Sequence, residues 1–239
     1  MAGRLAGRAS LEVTLSLAGR TASPAAQPVP VRVGGFGGAE GLANYLVSER
    51  IDALIDATHP YANAISANAV AAARRSGVPL VALRRPPWIA VMGDRWKEVS
   101  DVREAVRALG QTPRHVFVAL GRNELAPFCN APQHYYLIRS VDPVDPPLPL
   151  PHAVYVTGRG PFSEADDRGL MTEHRIDVVV AKNSGGPATY GKIAAARVLG
   201  VDVIMLCRPA APEGAAVATI EEAIAWLDHA LTSTAARGV

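Results

Sequence analysis

Lysine is scarce in this chain of 239 residues. Of its 24 basic residues, only Lys97, Lys182 and Lys192 are lysines; the rest are arginines. Aromatic residues are only 5% of the total, too few to line a base-stacking surface. Net charge is only +2, which speaks against a general nucleic-acid binder. The two cysteines, Cys129 and Cys207, fit neither a zinc spacing nor a disulfide framework, so a reducing cytoplasm is expected. No apolar run approaches the ~20 residues needed to cross a membrane. The opening MAGRLAGRAS lacks the apolar stretch of a signal peptide. No short repeat is visible. Ser-His-Asp order, a metal triad and a paired-carboxylate motif are all missing, which leaves hydrolase and metalloenzyme readings with little support.

What is present is a real core: 49% of residues are hydrophobic and 19% charged. Short β-branched runs alternate with Ala-rich stretches. Strands are expected at 11–17, 51–57, 78–83, 115–120, 134–140, 153–158, 177–181 and 202–206, with a weaker extended stretch at 94–99. Helices are expected at 40–50, 62–77, 101–109, 163–174, 187–199 and 220–231, with a short one near Glu124. The Pro-rich piece 142–151 suits neither. Near-continuous apolar strands alternating with helices imply parallel sheets covered on both faces. The fold class is therefore α/β, with two lobes built on parallel sheets and a cleft between them. Segment 109–115 reads as the boundary, giving lobes 1–111 and 112–239.

Open parallel sheets bind ligands at the carboxyl ends of their strands. Strand 11–17 runs into Arg20 and Thr21. An arginine there suits the 2′-phosphate of NADP; an ordinary surface arginine in a turn is the alternative. Gly34 to Gly38, with Phe36 at the centre, form a turn that lets a cofactor approach, or else a flexible loop. Strand 51–57 ends in Asp56, Ala57, Thr58 and His59. His59 is the one catalytic candidate, against a structural histidine. In the second lobe, Arg122 and Arg159 follow strands 115–120 and 153–158. Lys182, Asn183, Ser184, Gly185 and Gly186 follow strand 177–181, and Lys192 starts the next helix. A Gly-rich turn opening a helix is an anion cradle; the alternative is a tight turn with two solvated lysines.

Taken in order, SLAGRTASPAAQPVPVRVGGFGG, IDALIDATHPYANAISANA, RRPPW, DRW, GRNELAPF, RSVDP, TGRGPFSEAD, VVAKNSGGPATYGKIAAARVLG and EEAIAWL resemble the precorrin-6A reductases of cobalamin biosynthesis over nearly the whole chain. The resemblance implies two Rossmann-like lobes and an NADPH-dependent oxidoreductase that reduces one double bond of precorrin-6A to give precorrin-6B. It implies cofactor contacts at Arg20, Thr21, Gly35, Phe36, Gly37 and Asp56 to His59. It implies contacts to the polycarboxylate tetrapyrrole at Arg122, Arg159, Lys182 to Gly186 and Lys192. No metal, nucleic-acid or membrane partner is implied; other enzymes of the pathway are possible neighbours. Three alternatives stay open: the cobalt-containing substrate of the anaerobic route, a truncated non-catalytic form that binds a tetrapyrrole or nucleotide, and another NADP-dependent Rossmann reductase. The family opens with a strand and a Gly-rich phosphate loop, whereas this sequence opens inside what resembles the first helix. About a dozen or more in-frame residues are therefore expected upstream of Met1, encoding an apolar strand and a glycine turn.

Overall fold

The computed structural model describes residues 1–19 and 24–235. The chain divides into two compact units, Met1–Arg85 with Ala210–Val239, and Pro86–Pro209. The first stretch runs α1 (Ala2–Leu5), β1 (Leu15–Leu17), β2 (Val31–Val33), α2 (Gly38–Ser48), β3 (Leu54–Asp56), α3 (Asn63–Ser76) and β4 (Leu80–Leu83). The second unit runs β5 (Trp96–Val99), α4 (Val102–Leu109), β6 (His115–Ala119), β7 (Tyr135–Ser140), β8 (Ala153–Thr157), α5 (Glu164–Glu173), β9 (Val178–Lys182), α6 (Gly191–Leu199) and β10 (Asp202–Leu206). The chain then returns to the first unit through β11 (Ala216–Val217) and α7 (Ile220–Ala235).

The second unit is built on one six-stranded sheet, ordered β5-β10-β9-β6-β7-β8, with every neighbouring pair parallel. Its strands read as unbroken apolar runs because helices cover both faces. Val178, Val179, Val180 and Ala181 of β9 have no measurable exposure. Phe117, Leu137, Met171, Val179, Ile193 and Met205 pack into one cluster beneath α5 and α6. All the carboxyl ends of this sheet therefore open on the same edge.

The first unit has two smaller parallel sheets, β1-β2 and β11-β4-β3. Neither β1 nor β2 bonds to β3. Its core lies between α2 and α3, where Leu42, Ala43, Leu46, Ala69 and Ala72 pack against Phe36, Ile51, Leu54, Val78 and Leu80. Helix α3 is stopped by Gly77, whose φ of 74° is left-handed and costs little without a Cβ.

The expected boundary near 111 is corrected. The chain crosses at Arg85–Pro86 and again at Pro209–Ala210. Segment 94–109 belongs to the second unit because β5 pairs with β10, Trp96 beside Val203. The final helix belongs to the first unit. It is tied there by β11 beside β4 and by the ion pairs Arg4–Glu221 and Arg8–Asp228. Strand β2 was not expected from the sequence. It is three residues long and begins directly after Pro30, whose carbonyl accepts from the Leu15 N–H at 2.9 Å.

Candidate functional site

In the first unit the turn after β2 is shaped by its own residues. Arg32 folds back, and its Nη1 and Nη2 donate to the carbonyls of Gly34 and Gly35 at 2.6 and 3.0 Å. Its guanidinium lies 3.8 Å from the centre of the Phe36 ring. Gly37 caps α2 in the left-handed region, with φ of 81°. Gly41, one turn into the helix, is required by contact. A Cβ there would stand 1.7 Å from the Phe36 carbonyl oxygen. Gly35, Phe36 and Gly37 are thus held in a fixed backbone turn at a strand end. Sequence reasoning named these three and missed Arg32 and Gly41.

The neighbouring β1 strand leads into this same corner. The Gly34 N–H donates to the Leu17 carbonyl at 2.8 Å, and a Cβ on Gly19 would stand 3.6 Å from the Val33 side chain. Arg20 and Thr21, the next residues, lie outside the described residues.

At the end of β3, Asp56 is buried. Its carboxylate accepts from the Thr58 N–H at 3.1 Å and from the Ser66 hydroxyl at 2.5 Å. The Asp56 side chain therefore fixes the turn, and its neighbours Ala57, Thr58 and His59 are what that turn presents. His59 is exposed. Its Nδ1 accepts from the Tyr61 N–H at 3.4 Å, and the two rings pack at 5.6 Å.

In the second unit the strand-end loops lock onto one another. Lys182, the last residue of β9, pairs with Glu124. Glu124 also accepts from the Gly121 N–H at 3.3 Å. One carboxylate thus joins the exposed Arg122 turn to Lys182. The loop carrying Arg159 is joined to the loop after β9, because the Phe162 N–H donates to the Ala188 carbonyl at 3.0 Å. Ser184 is half-buried in that second loop.

Three of the residues expected to contact substrate hold the chain's own backbone. Asn183 is buried and grips the Trp88 backbone at two points, accepting its N–H at 2.7 Å and donating to its carbonyl at 2.9 Å. The Gly186 carbonyl accepts from the Trp88 indole N–H at 2.9 Å. A Cβ on Gly185 would stand 2.1 Å from the Pro86 carbonyl oxygen. The glycines of KNSGG therefore admit another stretch of this chain, Pro86 to Trp88. Arg208 completes the clasp by donating to the carbonyls of Asn183 at 2.8 Å and Pro86 at 3.2 Å.

Lys192, also expected at the substrate, is only 4% exposed. Its Nζ donates to the Thr189 carbonyl at 2.5 Å and lies 5.2 Å from the Trp88 ring centre. Burial, with Arg139 nearby, pulls its pKa from 10.5 down to about 7, against the opposing pull of Asp167. Arg139 and Asp167 form a buried ion pair, and Arg139 lies between the rings of Phe117 at 4.8 Å and Phe162 at 3.7 Å. One carboxylate oxygen of Asp167, Oδ2, is buried with no hydrogen-bond partner among the described residues. Sequence reasoning missed this pair. The only signal was a charge inside the apolar strand pattern of β7.

Among the described residues no group of His, Cys, Asp and Glu is placed to hold a metal, and no helix is long and apolar enough to cross a membrane. The strand-end turns of the first unit are rich in glycine backbone, and those of the second carry arginine and lysine.

Comparison with known proteins gives this arrangement its relatives. The family described as precorrin-6x reductase CbiJ/CobK matches residues 1–228. A precorrin-6A reductase of Sinorhizobium sp. is 54% identical over 229 residues, covering 96% of this chain and 88% of the relative. That of Rhodobacter capsulatus is 51% identical over 222 residues, covering 92% and 88%. A cobalt-precorrin-6A reductase of Priestia megaterium is 28% identical over 204 residues, covering 81% and 78%. A solved structure titled CobK precorrin-6A reductase superimposes with a TM-score of 0.88 at 50% identity, covering 91% of this chain and 86% of that one.

Proposed function

The chain belongs to the precorrin-6x reductase CbiJ/CobK family, and from that membership we propose that it reduces precorrin-6A to precorrin-6B with hydride from NADPH. One observation carries the substrate: the precorrin-6A reductases quoted are 51–54% identical, against 28% for the cobalt-precorrin enzyme. That contrast favours the cobalt-free macrocycle. The two free cysteines fit the reducing cytoplasm in which we place the enzyme.

The first unit fits the cofactor. A turn whose glycines at 34, 37 and 38 have φ of 118°, 81° and 89° exposes backbone that side chains would otherwise cover. Gly35, Phe36 and Gly37, with Ala57, Thr58 and His59, are the residues we assign to it, and Arg20 with Thr21 to its 2′-phosphate. When bound, NADPH supplies the hydride, so the protein's task is orientation and charge. Asp56 and Arg32 keep the two turns in shape. We assign Arg122, Arg159, Lys182 and Ser184 to the peripheral carboxylates of the macrocycle, where arginine's planar fork makes two-point bonds.

The reaction is tested by anaerobic assay: NADPH absorbance should fall when precorrin-6A is supplied. Turnover of simple ketones or hydroxy acids without turnover of the macrocycle would sink the assignment. The cofactor is tested by Arg20→Ala. A lost charge-assisted contact is worth about 1.5–3 kcal/mol, so NADPH should bind roughly ten- to a hundredfold more weakly and NADH almost unchanged. Equal losses for both would make Arg20 structural.

Gly41→Ala tests the turn. Its new methyl collides with the Phe36 carbonyl, so the turn must open. NADPH affinity is expected to fall more than tenfold in titrations of protein fluorescence. Unchanged affinity in a folded variant would remove this turn from the cofactor site.

A further inference from the structure

We infer that Lys192 is an anion-responsive positioning residue, which takes up a proton from solvent when a carboxylate of the tetrapyrrole settles on the strand-end loops of the second unit. The inference rests on the tetrapyrrole reading above.

Three features of its surroundings disfavour a charged ammonium in the free protein. Lys192 is buried, away from the water that would solvate its charge. It is the second residue of α6, where the aligned peptide dipoles are positive and oppose a cation. It also shares its space with Arg139 from β7. The group that favours the charge is Asp167 from α5, and one of its oxygens is already engaged by Arg139. Trp88 adds an indole face 5.2 Å from Nζ, which also favours the cation. The pKa of about 7 is what these opposing influences leave.

Such an amine stands near its midpoint at neutral pH and responds to any new neighbouring charge. A carboxylate some ~7 Å away, at the effective dielectric of a protein site, moves the midpoint upward by roughly one to two pH units. Direct contact is not required, which suits a group that the structure keeps covered. The proton has a local consequence. The bond from Nζ to the Thr189 carbonyl becomes charge-assisted and about twice as strong. Thr189 lies in the loop that carries Ser184 and follows Lys182. Occupation by an anionic ligand thereby tightens the loop that bears its contacts.

The scarcity of lysine makes this directly measurable. Protein labelled with carbon-13 and nitrogen-15 in lysine should give three side-chain signals, one each for Lys97, Lys182 and Lys192. Lys192→Arg should delete one of them. Should that variant fail to fold, Lys97→Arg and Lys182→Arg assign the third by elimination. In the free protein the Lys192 signal is expected to titrate near neutrality. With precorrin-6A saturating under anaerobic conditions, its midpoint should rise by about one unit or more. Substrate binding is followed independently by the absorbance of the macrocycle. Binding with an unmoved Lys192 midpoint overturns this inference alone, as does a Lys192 that titrates near 10 in the free protein. Absence of any macrocycle binding overturns the tetrapyrrole reading and this inference with it.

Discussion

Asp167→Ala is expected to cost about 3–5 kcal/mol of stability, the usual penalty for stranding one member of a buried ion pair. Asp167 has no measurable exposure and the Arg139 side chain only 9%. Removing the carboxylate leaves the guanidinium between Phe117 and Phe162 with no countercharge. The adjacent Lys192 then faces a cation without the anion that offsets it. Urea unfolding followed by circular dichroism should show the loss. A cost below about 1 kcal/mol would mean that water reaches Arg139. The double variant Arg139→Met with Asp167→Leu should recover most of the loss, because an apolar pair of similar volume replaces an ion pair whose desolvation is expensive. Failure to recover would point to the cation–ring contacts as the larger contribution.

Lys192→Met is expected to act in the opposite direction. Lowering the lysine pKa from 10.5 to about 7 corresponds to about 5 kcal/mol of strain in the folded state, by the usual conversion of pKa to energy. The sign follows from proton counts. Between about pH 7 and 10 the unfolded chain holds more protons at this site than the folded one, so stability of the parent protein rises with pH through that window. Below about pH 7 the whole penalty is present. Methionine removes it but leaves the Thr189 carbonyl without its donor, returning about 1–3 kcal/mol. The net gain at pH 7 is therefore a few kcal/mol, or roughly 5–10 °C in the thermal midpoint of the second unit. The slope of stability against pH between 7 and 10 should flatten as well. A variant that melts lower, with the slope intact, would show that Lys192 is charged and well paired. Stability gained by removing a strained group at a functional site commonly costs activity.

The alternation of strands and helices was legible because each element carries its own period, and the second unit's sheet needs nothing more to be recognised as parallel. Strand partners were not legible. Nothing near Trp96 says that its neighbour is Val203, and so 94–109 was placed in the wrong unit. The same limit explains KNSGG. A glycine with positive φ permits the close approach of something, and local sequence does not distinguish a ligand's oxygen from the carbonyl of Pro86. GGFGG was readable as a turn, but Arg32 was not readable as its brace. That role depends on a side chain doubling back onto carbonyls two and three residues later. Arg139 and Asp167 lie 28 positions apart, and the charge inside the β7 run says nothing of which residue answers it.

The return of the chain at Ala210 sets an order of events on the ribosome. By the time Pro209 has emerged, every strand of the six-stranded sheet exists and that sheet can close. The first unit, although its synthesis began earlier, must wait. Strand β4 gains β11 only when residues 216–217 appear, and the Ala82 N–H meets the Ala215 carbonyl across more than half the sequence. Helices α2 and α3 spend that interval with β3 and β4 paired only to each other and the far side of β4 open. A nascent chain stalled after residue 209 should thus present one finished body and one exposed sheet edge, the kind of surface that chaperones and proteases select.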